Sequence, residues 1–256
     1  MSTLEQLQTH LRLLRMPTAV EIVGDLLTTA SRDNWTLENF LTELLAQEFA
    51  GRQSRRIERL QRSSRLPAGK TLATFTQEQL PLRLRRQLAQ LCTGEFVSRA
   101  ENLLIFGLPG RGKTHFAAAV GHQLVQVGIS VLFTPTFRLV DELLRAKRDL
   151  LLEQELRRLD SYEVLILDDI GYVQQSRDEM EVLFTLLAER YERRSVIITS
   201  NLVFSQWNQI FKDPMTTAAA IDRVVHHSVI VEFGKEVASH RAQQAAQRLQ
   251  ETPVEE

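Results

Sequence analysis

Leucine and valine recur at helical spacing over the first third of the chain. Leucines lie three or four residues apart from Leu4 to Leu14, and Pro17 ends or restarts that run. A second helix carries the next apolar series, Val20, Val23, Leu26 and Leu27.

A longer helix is predicted to begin after Thr36, a residue type that caps helix N-termini. Its apolar stripe consists of Leu37, Phe40, Leu41, Leu44, Leu45 and Phe49. Past Gly51 arginines replace the apolar residues, and Leu66–Lys70 is the best linker candidate. We therefore expect a small all-α N-terminal domain over residues 1–67.

From about residue 100, short β-rich runs alternate with longer helical stretches. The five strand candidates are Leu103–Phe106, Val131–Phe133, Val164–Leu167, Val196–Thr199 and Val229–Phe233. This alternation predicts an α/β domain over residues 68–256, with a parallel five-stranded sheet sandwiched by helices.

The first of these strands leads into a phosphate-binding sequence. The residues are Gly107, Leu108, Pro109, Gly110, Arg111, Gly112, Lys113 and Thr114, which fit G-x-x-x-x-G-K-[ST]. Glycines let backbone N–H groups curl around phosphate oxygens, and the start of the following helix adds partial positive charge. Lys113 can reach the β- and γ-phosphates and Thr114 can ligate Mg²⁺, so the predicted cofactors are ATP and Mg²⁺.

Polar residues end two further strands. Asp168 and Asp169 follow the apolar run Val164–Leu167, and Asp168 is expected to hold Mg²⁺ while Asp169 polarises the attacking water. Asn201 follows the next strand, where an amide can orient that water. AAA+ ATPases, which these residues resemble, usually have Glu where Asp169 stands.

Arg223 lies at the spacing at which AAA+ proteins place an arginine finger, which reaches into a neighbouring subunit's site. Arg190, Arg193 and Arg194 are weaker candidates for this role. Lys113, Asp168, Asp169, Asn201 and Arg223 are thus the predicted catalytic residues.

Charge is concentrated between Ala50 and Arg86, where nine arginines and one lysine face two glutamates in a chain of net charge −1. Helical spacing would place five of these arginines on one face: Arg52, Arg55, Arg56, Arg59 and Arg62. Such a face binds DNA phosphates without sequence preference. The alternative is a solvated or acid-paired helix, and Glu58 is the neighbouring acid.

The remaining composition is that of an ordinary globular chain. A single cysteine, Cys92, excludes an intramolecular disulfide, and no run reaches the ~18 apolar residues of a membrane span. We expect a cytoplasmic protein without a membrane partner. His226 and His227 are adjacent, and a regular helix or strand would direct them apart, which favours packing or capping over metal ligation.

Together these residues resemble the IstB-type helper ATPases of bacterial insertion sequences, whose relatives are the DnaC-type helicase loaders. The most specific stretches are Val164–Tyr172, Leu187–Arg194, Ile198–Asn201, Phe211–Pro214 and Ala218–His227. The resemblance implies ATP-dependent homo-oligomers that assemble on double-stranded DNA, deform it and recruit a partner transposase. Too few residues follow Gly234 for the helical lid of most AAA+ proteins, so the lid is expected to be reduced or absent.

Three other functions remain open. One is a replicative helicase loader with the same core, which would bind a helicase instead of a transposase. Another is a P-loop small-molecule kinase. The third is a nucleotide-gated binding module that hardly hydrolyses, because Asp169 is shorter than glutamate.

Overall fold

A computed structural model describes residues 2–172, 176–202, 224–234 and 237. The chain divides into two compact units, Met1–Arg59 and Leu60–Glu256. Residues before the expected boundary at 67 already belong to the second unit, because Phe133 N–H donates to the Ser64 carbonyl at 2.7 Å. No described helix is long and apolar enough to cross a lipid bilayer.

The first unit is built from three helices, α1 (Thr3–Leu13), α2 (Pro17–Arg32) and α3 (Leu37–Ser63), the last of which continues past the division. The Thr36 hydroxyl accepts a hydrogen bond from Asn39 N–H at 3.2 Å, so Thr36 caps α3 as expected. The core of the unit is formed by Leu11, Ala19, Val23 and Leu44.

The apolar stripe of α3 is divided between core and solvent. Leu44 is buried and Phe40 packs at the edge of the core. Four residues at i, i+4, i+8 and i+12 are exposed: Leu37, Leu41, Leu45 and Phe49.

The second unit contains the predicted parallel sheet. Its strands are β1 (Asn102–Gly107), β2 (Val131–Pro135), β3 (Val164–Asp168), β4 (Ser195–Ser200) and β5 (Ser228–Phe233). Their order is β2-β3-β4-β1-β5, and all the pairs are parallel. All five predicted strands are therefore confirmed, and the carboxyl ends of β1, β3 and β4 lie together at one edge.

Helices cover both faces of the sheet. The helices are α4 (Leu82–Leu91), α5 (Glu95–Ser98), α6 (Lys113–Gln126), α7 (Thr136–Arg148), α8 (Leu152–Asp160) and α9 (Arg177–Arg190), with 3-10 turns at Gln77–Gln79 and Ile170–Tyr172. Small residues bring α6 close to one face, since a Cβ on Gly121 would stand 2.7 Å from Ile166 Cδ1. On the other face, residues of α7, α8 and α9 such as Leu139, Leu159 and Leu183 form one core with the sheet. Residues 238–256, where a lid would lie, are outside the described part of the chain.

A buried arginine joins the amino-terminal ends of β3 and β4 to α8 and α9. The side chain of Arg190 is 1% exposed and donates to the carbonyls of Leu159, Tyr162, Glu163 and Ser195 at 3.0–3.1 Å. Burial lowers the pKa of Arg190 to about 9, which still leaves the guanidinium charged at neutral pH.

Candidate functional site

The phosphate-binding motif connects β1 to α6, as predicted. Gly110 and Gly112 have φ of 81° and 94°, a left-handed backbone that glycine adopts without strain. Lys113 and Thr114 form the first residues of α6. Lys113 Nζ donates to the Leu108 carbonyl at 3.1 Å, so the ammonium group lies over its own loop.

Arg111 has a different role from its neighbours in the motif. Its guanidinium donates to the Gly234 carbonyl at 2.9 Å and to the Val237 carbonyl. The side chain therefore joins the loop to the residues after β5, while five motif residues line the adjacent cavity: Pro109, Gly110, Gly112, Lys113 and Thr114.

Asp168 and Asp169 are both hydrogen-bonded to a threonine that no sequence motif indicated. The Thr199 hydroxyl donates to Asp168 Oδ1 at 2.7 Å and accepts from Asp169 N–H at 2.8 Å. Asp169 has φ of 61°, so the chain turns sharply after β3. Thr199 thus couples β4 to the Asp168 carboxylate, a pairing that follows from the sheet order and not from either strand's sequence.

Asn201 presents a buried acceptor at the same edge of the sheet. Its Oδ1 is buried and accepts no hydrogen bond from the described residues. A Cβ on Gly171 would stand 2.3 Å from this oxygen, so glycine at 171 makes room for the amide. A buried amide oxygen with open lone pairs suits a bound water or ligand.

These groups surround a cavity of about 650 Å³. Lys113, Thr114, Asp169, Thr199 and Asn201 line it, and its size suits a nucleotide. The structure therefore brings together the loop, the second carboxylate and the amide that the sequence placed far apart.

One wall of the cavity combines the end of the expected linker Leu66–Lys70 with the residues just after it and with one residue of α6. The wall consists of Gly69, Lys70, Thr74, Phe75 and His115. His115 Nε2 lies 3.0 Å from the Thr71 carbonyl and 3.1 Å from Thr74 Oγ1, and its ring is 4.8 Å from that of Phe75. No sequence motif indicates that these residues line the cavity, because that role depends on the chain folding back onto α6.

Among the arginine-finger candidates, Arg223 lies outside the described residues. Arg190 is excluded from that role by its burial and by its four carbonyl partners. Arg193 forms ion pairs with Asp160 at 2.9 Å and Glu189 at 3.7 Å.

The predicted cationic face is found on α3, and α1 adds to it. All five predicted arginines, Arg52, Arg55, Arg56, Arg59 and Arg62, are exposed. Within the first unit, Arg12 and Arg15 join four of them around a groove of about 640 Å³. This arginine groove is lined by Arg12, Arg15, Pro17, Val20, Glu21, Arg52, Arg55, Arg56 and Arg59.

Two of these arginines also bind a buried acid. Glu48 is 3% exposed and pairs with Arg52 at 2.9 Å and Arg55 at 3.2 Å. Its other oxygen accepts from Ala19 N–H at 3.0 Å, which caps the first turn of α2. Glu48 is thus an acid that holds Arg52 and Arg55, and these two arginines have a structural role in the unit.

The donors at the cavity fit a triphosphate with Mg²⁺. Mg²⁺ prefers hard oxygen ligands such as carboxylates and hydroxyls. The Thr114 hydroxyl belongs to a residue that lines the cavity, whereas Asp168 does not line it and is hydrogen-bonded to Thr199, which does. Lys113 and the start of α6 supply positive charge for phosphate. No described residue that lines the cavity is incompatible with a bound triphosphate and Mg²⁺.

A motif of this kind at the edge of a parallel sheet ordered β2-β3-β4-β1-β5 makes this chain a P-loop ATP-binding protein of the AAA+ type. The model of one family, described as IstB-like ATP binding protein, matches residues 8–248. The chain belongs to that family, which is associated with IS21-type insertion sequences.

Individual relatives agree with this assignment. An insertion sequence ATP-binding protein of Sinorhizobium fredii is 41% identical over 242 residues, 94% of this chain and 81% of its own. The corresponding IS21 protein of Pseudomonas aeruginosa is 39% identical over 225 residues, 88% of this chain and 85% of its own.

Solved structures share the fold at low identity. The crystal structure of DnaI aligns with a TM-score of 0.56 at 21% identity, covering 67% of this chain and 96% of DnaI. AMPPCP-bound DnaA from Aquifex aeolicus aligns with a TM-score of 0.53 at 18% identity, covering 73% of this chain and 57% of DnaA.

Proposed function

We propose that this protein is an ATP-hydrolysing, DNA-binding helper of transposition. It binds ATP, assembles on duplex target DNA, deforms the DNA and recruits its cognate transposase, and hydrolysis resets the assembly. Hydrolysis is proposed on one observation: Asn201, whose Oδ1 is buried without a hydrogen-bond partner, lines the same cavity as Asp169, Lys113 and Thr114.

The hydrolytic roles follow from the chemistry of each group. Lys113 binds the β- and γ-phosphates, and Asn201 Oδ1 accepts a hydrogen bond from the attacking water and so orients it. Asp169 polarises the same water as the general base. Thr114 and Asp168 hold Mg²⁺, which supplies charge neutralisation to the phosphates when bound.

Turnover is expected to be slow, because an aspartate reaches less far than the glutamate usual at this position. Asp169→Asn removes the base while keeping the shape of the side chain. We expect turnover to fall at least tenfold with ATP affinity retained. If wild type and Asp169→Asn hydrolysed ATP at the same rate, Asp169 would not be a catalytic residue.

The arginine groove is the proposed duplex DNA surface. Six arginines converge there, and each phosphate contact releases counterions. Arg52 and Arg55 also hold Glu48 in the first unit, so substituting them would disturb the packing of that unit, and DNA binding is tested at Arg56 and Arg59 in the same groove. Arg62 ends the same series on α3.

The first experiment compares DNA binding and assembly with and without nucleotide. Wild-type protein and Lys113→Ala are mixed with duplex DNA, with ATP or without, and followed by electron microscopy and mass photometry. We expect oligomers on DNA only for wild type with ATP. The same assembly in the absence of nucleotide would contradict the proposal.

The second experiment reverses charge in the groove. Arg56→Glu combined with Arg59→Glu should weaken duplex binding at least a hundredfold and leave ATP binding unchanged. Arg145→Glu combined with Arg148→Glu changes net charge equally on exposed α7 residues and serves as the control. Equal DNA affinity in both double variants would place the DNA surface elsewhere.

The third experiment tests the proposed finger. Arg223→Ala and Lys113→Ala should each hydrolyse ATP poorly alone. Mixing them restores activity if one subunit supplies Arg223 to the intact site of the other. Absence of recovery in mixed oligomers would mean that Arg223 does not act in trans.

A helicase loader is the second candidate, because the sequence also resembles the DnaC-type helicase loaders. The two functions predict different partners. Purified cognate transposase and purified replicative helicase are offered separately to the ATP-bound protein. If only the helicase bound, the protein would be a helicase loader and the proposed transposition function would be wrong.

A further inference from the structure

Three potential metal ligands meet at the opposite edge of the sheet from the nucleotide cavity. They are Glu192, in the turn between α9 and β4, and His226 and His227, just before β5. One ligand atom from each lies within 4.8 Å of the other two, and all three residues are exposed. We propose that Glu192, His226 and His227 form a binding site for a divalent transition ion such as Zn²⁺.

The two histidines converge because the helical geometry ends between them. Residues 224–226 are helical, whereas His227 already lies in a turn. The rings consequently meet edge to face, with their centroids 4.3 Å apart, instead of diverging. The expectation from adjacency alone, that they point apart, was wrong for this reason.

The backbone at the site is held by a buried asparagine. Asn102 N–H donates to the His227 carbonyl at 2.7 Å, and Asn102 Nδ2 donates to the Val224 carbonyl at 3.1 Å. Asn102 Oδ1 accepts from Val196 N–H at 2.9 Å, which ties the same residue to β4. The two chain segments that carry the ligands are thus fixed relative to each other before any ion binds.

The side chains have the arrangement that zinc ligands need. The Tyr191 hydroxyl lies 3.3 Å from His226 Nδ1 and so orients the ring. In the tautomer with Nδ1–H donating to that hydroxyl, Nε2 keeps the lone pair that a metal needs. His227 Nε2 is 3.4 Å from Glu192 Oε1, about the separation of two ligand atoms around a tetrahedral Zn²⁺. Small side-chain rotations bring the third ligand into range, and water completes the coordination.

The chemistry of the ligands selects the ion. Two imidazoles and one carboxylate suit Zn²⁺ and its neighbours, whereas Mg²⁺ prefers oxygen ligands alone. The Mg²⁺ that accompanies ATP would therefore not compete. A bound ion would brace the turn that begins four residues after Arg223 and leads into β5.

The test measures Zn²⁺ binding by the full-length, tag-free protein without nucleotide or DNA. Chelator-treated protein is titrated with Zn²⁺ by isothermal calorimetry in the presence of millimolar Mg²⁺. Unfolding midpoints are measured with and without Zn²⁺. We expect one Zn²⁺ per chain, a dissociation constant of about 10 µM or tighter, and a raised unfolding midpoint.

Single variants His226→Gln, His227→Gln and Glu192→Gln should each weaken binding at least tenfold. Their metal-free unfolding midpoints should match wild type, since the residues are exposed. Two control variants should bind Zn²⁺ as wild type does. They are His10→Gln, at an exposed position of α1, and Cys92→Ser, at the chain's single thiol. Co²⁺ should give the intense visible absorption of a four-coordinate site in wild type and lose it in the three variants.

Several outcomes would overturn the site. They are failure of wild type to bind one equivalent, full binding by the His226→Gln and His227→Gln double variant, or loss of binding in Cys92→Ser. If Glu192→Gln kept full Zn²⁺ affinity, Glu192 would not be a ligand and the three-ligand site would be wrong. None of these results depends on ATP hydrolysis or DNA binding, so the proposed function is tested separately.

Discussion

Residues at and near the nucleotide cavity are positioned by neighbours from other parts of the chain. Asn201 is placed by the absence of a side chain at Gly171, and Asp168 is held by the hydroxyl of Thr199. Arg190, although it lies in a charged run, is a buried structural residue. The local sequence of each residue gives no sign of these relations, because each partner comes from a different element.

Gly171→Ala should lower ATP turnover about tenfold with little loss of ATP affinity. The new methyl group would stand 2.3 Å from Asn201 Oδ1 and displace the amide from the attacking water. Steady-state hydrolysis and nucleotide titration check this. Gly24→Ala, where the nearest heavy atom would be 3.9 Å away, is the control and should leave both values unchanged. Normal turnover in Gly171→Ala would argue against the amide's role.

Arg190→Met should destabilise the second unit by about 3 kcal/mol, because four carbonyls, in two buried and two partly buried hydrogen bonds, lose their donor. Denaturant unfolding of the full chain measures the effect. Arg193→Met, three residues on, removes exposed ion pairs and should cost less than about 1 kcal/mol. Similar losses in the two variants would contradict the structural role given to Arg190.

At the scale of elements, α2 depends on a residue of α3. Its own N-cap, Met16, makes no side-chain hydrogen bond, and Glu48 supplies the missing acceptor to Ala19 N–H. Burial alone raises the pKa of Glu48, but hydrogen bonds from Arg52 and Ala19 N–H, with the charge of Arg55, hold that pKa below its usual value of 4.5. The arginine face is therefore also part of the packing of the first unit.

Glu48→Gln should destabilise α1 and α2 by about 2 kcal/mol at pH 7, since the amide keeps an acceptor but loses both ion pairs. The carboxyl pKa is lower in the folded state than in the unfolded state. Its stabilisation is therefore present above pH 4.5 and is lost as pH falls through the folded pKa. Hydrogen exchange of residues 3–32 in both proteins should show a difference that shrinks below pH 4.5. A difference independent of pH would exclude an ionic contribution.

For the whole molecule, the salt dependence of DNA binding reports how many phosphates the arginine groove contacts. Log affinity falls with log salt concentration by about 0.9 per phosphate neutralised. Arg56→Gln combined with Arg59→Gln should reduce that slope by about 2 on any duplex sequence. Fluorescence anisotropy at several salt concentrations measures it, with Arg145→Gln and Arg148→Gln as the matched control. An unchanged slope would mean that neither arginine touches phosphate.

Local sequence patterns were enough to predict the strands, the phosphate loop and the class of fold, because hydrophobic periodicity and glycine geometry act over a few neighbouring residues. Thr36 as a cap, Asp168 at a strand end and Lys113 at a helix start are all local properties of this kind. Which residues from distant parts of the chain contact each other became known only from the three-dimensional packing. The sheet order brought Thr199 to Asp168, chain reversal brought Phe75 to His115, and packing of α1 against α2 brought Arg12 into the arginine groove. Such pairings depend on how elements pack, and no short stretch of sequence contains that information.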